Sequence, residues 1–278
     1  MRRPHHRSSL PASVHLVIAA VLVAAIVIAV SAGHGGSGGG RRSAETPTSP
    51  AGAVERRTLM RALDATRAVA SGRVAVTTTL TGLGVPDPPP GGRLIVARYS
   101  VAFDRRARRV GVEVDMSGAA DPPGTGVSNA AGLVAAGDVV YARAGPLAAV
   151  VGHVPGDWVR ADRAAFGTRG ASSDAARLVL DPLGPFEVVG DTSAAARVVG
   201  HDVIRGSPAT HLATSADLGA GVTPIEVWID ADGLIRRLEI RLPTHAAGRP
   251  GAVVTTIDLY EIGGAVSIPV PAAAGGGR

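Results

Sequence analysis

The sequence predicts an α+β domain built on one antiparallel sheet and preceded by one N-terminal membrane helix. Three observations carry this expectation. Apolar and polar residues alternate along many short stretches, the mark of half-buried strands. The expected elements run helix, several strands, a helical insert and more strands, without the βαβ alternation of a parallel sheet. An uninterrupted apolar run from Leu16 to Val30 follows a basic start.

The chain opens with Arg2, Arg3 and Arg7 in a basic segment, residues 1–12, expected on the cytoplasmic side. Residues 13–33 form the membrane-directed segment. From Val14 to Ala32 its length lies at the lower end for a spanning helix, roughly 17 to 25 residues. It also exceeds a signal-peptide core of about 7 to 15 residues. A retained signal-anchor is the expectation, and cleavage near Ala29-Val30-Ser31, giving a secreted product, is the alternative. Residues 34–53 are rich in Gly, Ser, Pro and Thr and read as a flexible linker. Residues 54–271 form the globular domain, and 272–278 a disordered tail.

Within the domain, Val54 to Ser71 reads as an amphipathic helix. Leu59, Leu63, Thr66 and Ala70 form its inward stripe, Arg56, Arg57, Arg61 and Arg67 face water, and Gly72 stops it. Strands are expected at Arg73–Leu83, Arg93–Asp104 and Arg108–Met116, with shorter ones at Val139–Ala142 and Trp158–Arg160. In the second, Ile95, Ala97, Tyr99, Val101 and Phe103 share a face. In the third, Val110, Val112, Val114 and Met116 do. The turn between them is a basic tip, Arg105-Arg106-Ala107-Arg108-Arg109, read as a solvated hairpin end that is able to touch anionic head groups. Ser172 to Gly190 changes to a helical period, with a helix through Leu180 broken or restarted at Pro182 and Pro185. Strands resume at Ala195–Val203 and Thr210–Ala216. The clearest hairpin runs from Ile225 to Leu242, its arms alternating around the loop Asp230-Ala231-Asp232-Gly233. Ala252–Tyr260 is the last strand, followed by an extended Val266–Pro271.

Composition excludes several functions. All 28 basic residues are Arg, a pattern of coding bias. The formal charge is +5, but residues 1–57 hold seven Arg and two acids, leaving 21 of each sign beyond them. The domain is therefore neutral, and nucleic-acid binding loses its electrostatic support. No Cys occurs, which excludes disulfides, thiolate metal sites, a Cys nucleophile and an N-terminal lipidated Cys. The chain carries no nucleophile elbow, phosphate-binding loop, His-Glu-x-x-His or dinucleotide fingerprint. His153, His201, His211 and His245 are separated in sequence and read as surface or hydrogen-bonded residues. Asp230 and Asp232 lack the distal Glu of a calcium loop and read as turn residues. No enzyme, metal or cofactor is expected.

A set of short motifs adds to this reading. They are Tyr141, Trp158-Val159-Arg160, Asp181-Pro182-Leu183, Val199-Gly200-His201-Asp202-Val203-Ile204-Arg205-Gly206, Thr210-His211, Val227-Trp228-Ile229-Asp230, Gly233-Leu234-Ile235-Arg236-Arg237, and Tyr260 with Gly263, Val266, Ile268 and Pro271. As a set, over Val54 to Pro271, they resemble the LppX/LprG-type envelope proteins of actinobacteria, within a LolA/LolB-like superfamily. The resemblance implies a strongly curved antiparallel half-barrel, closed by helices around an apolar cavity that carries lipid acyl chains. It differs in the missing lipobox Cys. On this reading Ile95, Tyr99, Val101, Phe103, Val112, Val114, Met116, Val227, Leu238 and Ile240 line the cavity. The expected partners are a lipid or fatty-acyl ligand and the cell membrane, with an envelope protein as a further candidate. The expected location is the cell membrane, single-pass, with the domain extracytoplasmic. An extracytoplasmic interaction or sensor domain of the same fold is the alternative function.

Overall fold

A computed structural model of the chain describes residues 50–81, 93–115, 130–143, 158–163, 180–192, 195–218, 221–246 and 249–271. The basic start, the apolar run, residues 34–49 of the linker, residues 172–179 of the helix through Leu180, Met116 and His153 lie outside these residues, while residues 50–53, expected in the linker, are helical. No helix among the described residues is long and apolar enough to cross a membrane.

Helix α1 (Pro50–Arg67) leads into β1 (Ser71–Thr81), β2 (Arg93–Asp104), β3 (Arg109–Asp115), β4 (Ala130–Ala136), β5 (Val139–Arg143) and β6 (Trp158–Asp162). A 3₁₀ turn η1 (Gly184–Val189) precedes β7 (Arg197–Ile204), β8 (Ser207–Asp217), β9 (Val222–Asp230), β10 (Ile235–Ala246) and β11 (Arg249–Tyr260). All eleven strands join one sheet in the order β6-β5-β4-β3-β2-β1-β11-β10-β9-β8-β7. Every pairing is antiparallel. The first and last strands meet in the middle, and β6 and β7 are the two edges, so the sheet is open.

The antiparallel sheet agrees with the expected class, while the helical share is smaller than α+β implies. Among the described residues helix is confined to α1, η1 and single terminal residues. Of the insert, the described residues hold a 3₁₀ turn after Pro182, with Pro185 in its first turn. α1 runs from Pro50 to Arg67 instead of from Val54 to Ser71. Its end tightens as Val69 N donates to Thr66 O at 3.1 Å, and Ser71 already belongs to β1. β4, Ala-Ala-Gly-Leu-Val-Ala-Ala, was not expected as a strand. Ala and Gly disfavour strands in isolation, and pairing with β3 and β5 on both sides overrides that preference. Residues 261–271 leave the sheet, with Gly263 N donating to Ser71 O at 2.9 Å. Ile268 is buried, and its Cγ2 packs close to Gly111 of β3.

Turn chemistry fixes the registers. Asp230 Oδ1 accepts from Asp232 N at 3.0 Å and from Leu234 N at 2.9 Å. Gly233 holds φ 76° and closes the β9–β10 loop. β7 and β8 are joined by Arg205 and Gly206 alone, with φ 49° and 83°, the two-residue reversal that follows strand twist. β10 bulges between Ile235 and Arg237. Thr66 Oγ1 of α1 accepts the Ile235 amide at 3.0 Å, which seats the helix on the sheet.

Candidate functional site

Register aligns the inward side chains of neighbouring strands into rows. The longest passes Val114, Tyr99, Val76, Ile257, Leu238, Val227 and Leu212, from β3 to β8. These residues belong to one apolar cluster that also takes in Leu59 and Leu63 of α1 and Phe186 of η1. Tyr99, Val101, Phe103, Val112, Val114, Val227, Leu238 and Ile240, expected to share a face, are thus brought together and buried. Ile95 pairs through its backbone with Thr79 beside a bulge, and the position of its side chain lies outside the described residues. Met116 lies outside them altogether.

Burial along this face is uneven, and at the α1 end Val110 is 6% exposed. Val101, Phe103, Val227 and Leu238 are 0% exposed and Val112 1%, so they touch neighbours on all sides. Tyr99 at 9%, Leu80 at 8%, and Val114 and Leu242 at 7% retain some accessible surface. Leu80 and Leu242 lie further along the strands from the end where Arg105 N donates to Ala70 O, while Tyr99 and Val114 stand at the β2–β3 end of the row that holds Leu238 and Val227. One inward row beyond Tyr99 and Val76, a buried hydroxyl pair, Thr78 Oγ1 and Thr255 Oγ1 at 3.4 Å, interrupts the aliphatic surface. Sequence reasoning did not single out this pair, because threonine is an ordinary strand residue and its neighbour is supplied by the β1–β11 register.

The opposite face of β7–β11 carries a polar network. Arg237 Nε and Nη2 donate to Asp258 Oδ1 and Oδ2 at 2.6 and 3.1 Å, and Arg205 Nε donates to Oδ2 at 3.1 Å. The bond from Asp258, working against burial and aided by its charge, holds the Arg237 guanidinium above its ordinary pKa. Arg205 also lies 4.0 Å over the Tyr260 ring. Trp228, buried beside Ile204 and Ala209, donates through Nε1 to Asp202 Oδ2 at 2.8 Å. His211 stacks on Trp228 with centroids 4.1 Å apart. Its Nδ1 is 3.5 Å from Asp202 Oδ2 and its Nε2 3.3 Å from Glu226 Oε2. The Nε2 contact does not make a hydrogen bond. His201 is exposed on β7, with Nδ1 3.5 Å from Thr210 Oγ1. His245 has only its backbone described. The sequence read His211 as a surface or hydrogen-bonded residue and gave no sign that it stacks on Trp228.

At the helix end, Arg67 binds Glu187 of η1 and Asp64 of its own helix. The bond to Glu187, opposed by desolvation, raises its pKa above the ordinary value. Among the described residues no three His, Cys, Asp or Glu side chains are placed to hold a metal ion.

No protein-family model and no curated protein matches the chain. Solved structures resemble it in fold. LprF from Mycobacterium bovis is 18% identical, with 81% of this chain and 99% of that one covered at a TM-score of 0.46. The lipoprotein LppX of Mycobacterium tuberculosis is 14% identical, with 78% and 99% covered and a TM-score of 0.42. A LolA-superfamily protein of Nitrosomonas europaea is 12% identical, with 77% and 94% covered and a TM-score of 0.26.

Proposed function

We propose that the domain is an exported envelope protein that holds the acyl chains of a lipid against the inner face of its sheet. On this reading the segment from Val14 to Ala32 keeps it at the cell membrane, single-pass, with residues 54–271 outside the cytoplasm. The observation that carries the proposal is the broad aliphatic face. One row of apolar side chains crosses seven strands, and its β2–β3 end, at Tyr99 and Val114, keeps accessible surface. Eleven strands spaced about 4.8 Å apart span roughly 50 Å if flat, far more than α1 with a diameter of about 10 Å covers. Curling into a half-barrel lets a sheet of that width bury one face. Few aromatic residues, 3% of the chain, leave a smooth aliphatic lining. Each methylene buried there stabilises a bound chain by about 0.8 kcal/mol. The lining is Tyr99, Val114 and Leu242 at the accessible end, with Ile95 and Met116 proposed beside them. Val101, Phe103, Val112, Val227, Leu238 and Ile240 form its packed base.

The test is mass spectrometry of organic extracts from the full-length protein, purified gently from membranes of the producing cell. An acyl lipid near one per protein supports the proposal. Extracts no richer in lipid than those of an unrelated single-pass protein refute it. A second reading, an interaction domain, rests on the β7 edge. Its Val198, Val199 and Val203 are 49%, 41% and 68% exposed, and its outward backbone groups are open to an added strand. Copurification of one envelope protein in place of lipid, lost on Val203→Lys, would favour it.

A further inference from the structure

The β2–β3 turn and the chain around Arg163 border a cleft of about 230 Å³. Four arginines, Arg105, Arg108, Arg109 and Arg163, line it against two aspartates, Asp104 and Asp181. The charges are unequally engaged. Arg105 Nη2 is 3.7 Å from Asp181 Oδ1, and Arg108 Nη2 donates to Asp138 Oδ1 at 2.8 Å, both in solvent-exposed pairs that hold weakly. Asp104 Oδ1 is occupied by the turn, accepting from Ala107 N at 2.9 Å. Arg163 is half-buried and, among the described residues, donates to backbone carbonyls, Gly137 O at 3.4 Å and Leu180 O at 3.3 Å, with no described carboxylate paired to it. The Arg109 side chain is exposed and makes no ion pair or hydrogen bond among the described residues. Arg108 adopts φ 53°, a left-handed backbone that favours Gly or Asn, yet the chain places a guanidinium there.

We propose that this cleft binds a phosphate-type anion, a phosphomonoester or phosphodiester group, between the guanidiniums of Arg109 and Arg163. Planar guanidinium forks match two phosphate oxygens at once, and two uncompensated positive charges across a concave surface draw such an anion in. Arg105 and Arg108 exchange their exposed carboxylates for the same ligand. The site stands at the α1 end of the sheet, away from Tyr99 and Val114, and does not rest on the acyl-chain reading.

The test is equilibrium dialysis of the full-length protein in neutral detergent micelles against radiolabelled inorganic phosphate at low salt. Saturable binding is expected, weakened roughly tenfold or more in Arg109→Gln, because a charged hydrogen-bond partner is lost. Arg106→Gln, at the same exposed turn but outside the cleft lining, should leave it unchanged. Doping the micelles with phosphatidylglycerol separates the sources. Competition with phosphate identifies a lipid head, and lack of competition identifies a soluble phosphate compound. The absence of saturable binding to the parent, or equal weakening by Arg109→Gln and Arg106→Gln, overturns the proposal.

Discussion

Gly233 shows how one residue sets a register. At φ 76° its backbone lies where a β-branched side chain is strained, although an added Cβ would meet no atom within 4 Å. Gly233→Val should therefore lower stability by more than ~1 kcal/mol through the backbone alone, and Gly233→Asn by much less. Equal unfolding midpoints in denaturant for Gly233→Val and the parent would refute this. Asp258 is the matching case on the polar face, buried and shared by Arg205 and Arg237. Its removal in Asp258→Ala leaves two guanidiniums without their acceptor, and a loss of roughly 1 to 3 kcal/mol is expected in the same measurement. The role of Gly233 was legible in the sequence, since a loop rich in Asp and ending in Gly between two alternating arms has few other solutions. The stack of His211 on Trp228 was not. Its members come from β8 and β9, with Asp202 from β7, and only the register brings them together.

At the scale of elements, α1 is seated on the sheet by a polar contact inside an apolar cluster. The bulge in β10 leaves the Ile235 amide to Thr66 Oγ1, and both residues are fully buried. Thr66→Val keeps the shape and removes the acceptor, so about 1 to 3 kcal/mol should be lost, read as a fall in the thermal midpoint. An unchanged midpoint would mean that the helix is held by packing alone. β2 and β3 were legible because their period of two survives in sequence. β4 was not, because Ala and Gly carry little of that signal and its strand state comes from its neighbours. The same strands refine the lining. Val112, expected in the cavity, is 1% exposed, and Val112→Gln would bury an amide without partners. A cost on the order of 2 to 4 kcal/mol follows.

For the whole molecule, the sheet order explains how one chain spreads a single apolar face from β5 to β8 and still leaves two edges. The central claim is that the accessible end of this face holds acyl chains while the α1 end is a packed base. Native mass spectrometry of the full-length protein released from micelles, with its Val114→Gln variant beside it, tests this most directly. The account predicts a lipid adduct on the parent and a marked loss of occupancy in Val114→Gln, with the unfolding midpoint nearly unchanged. Equal occupancy in the two proteins, or no adduct on the parent, would contradict it.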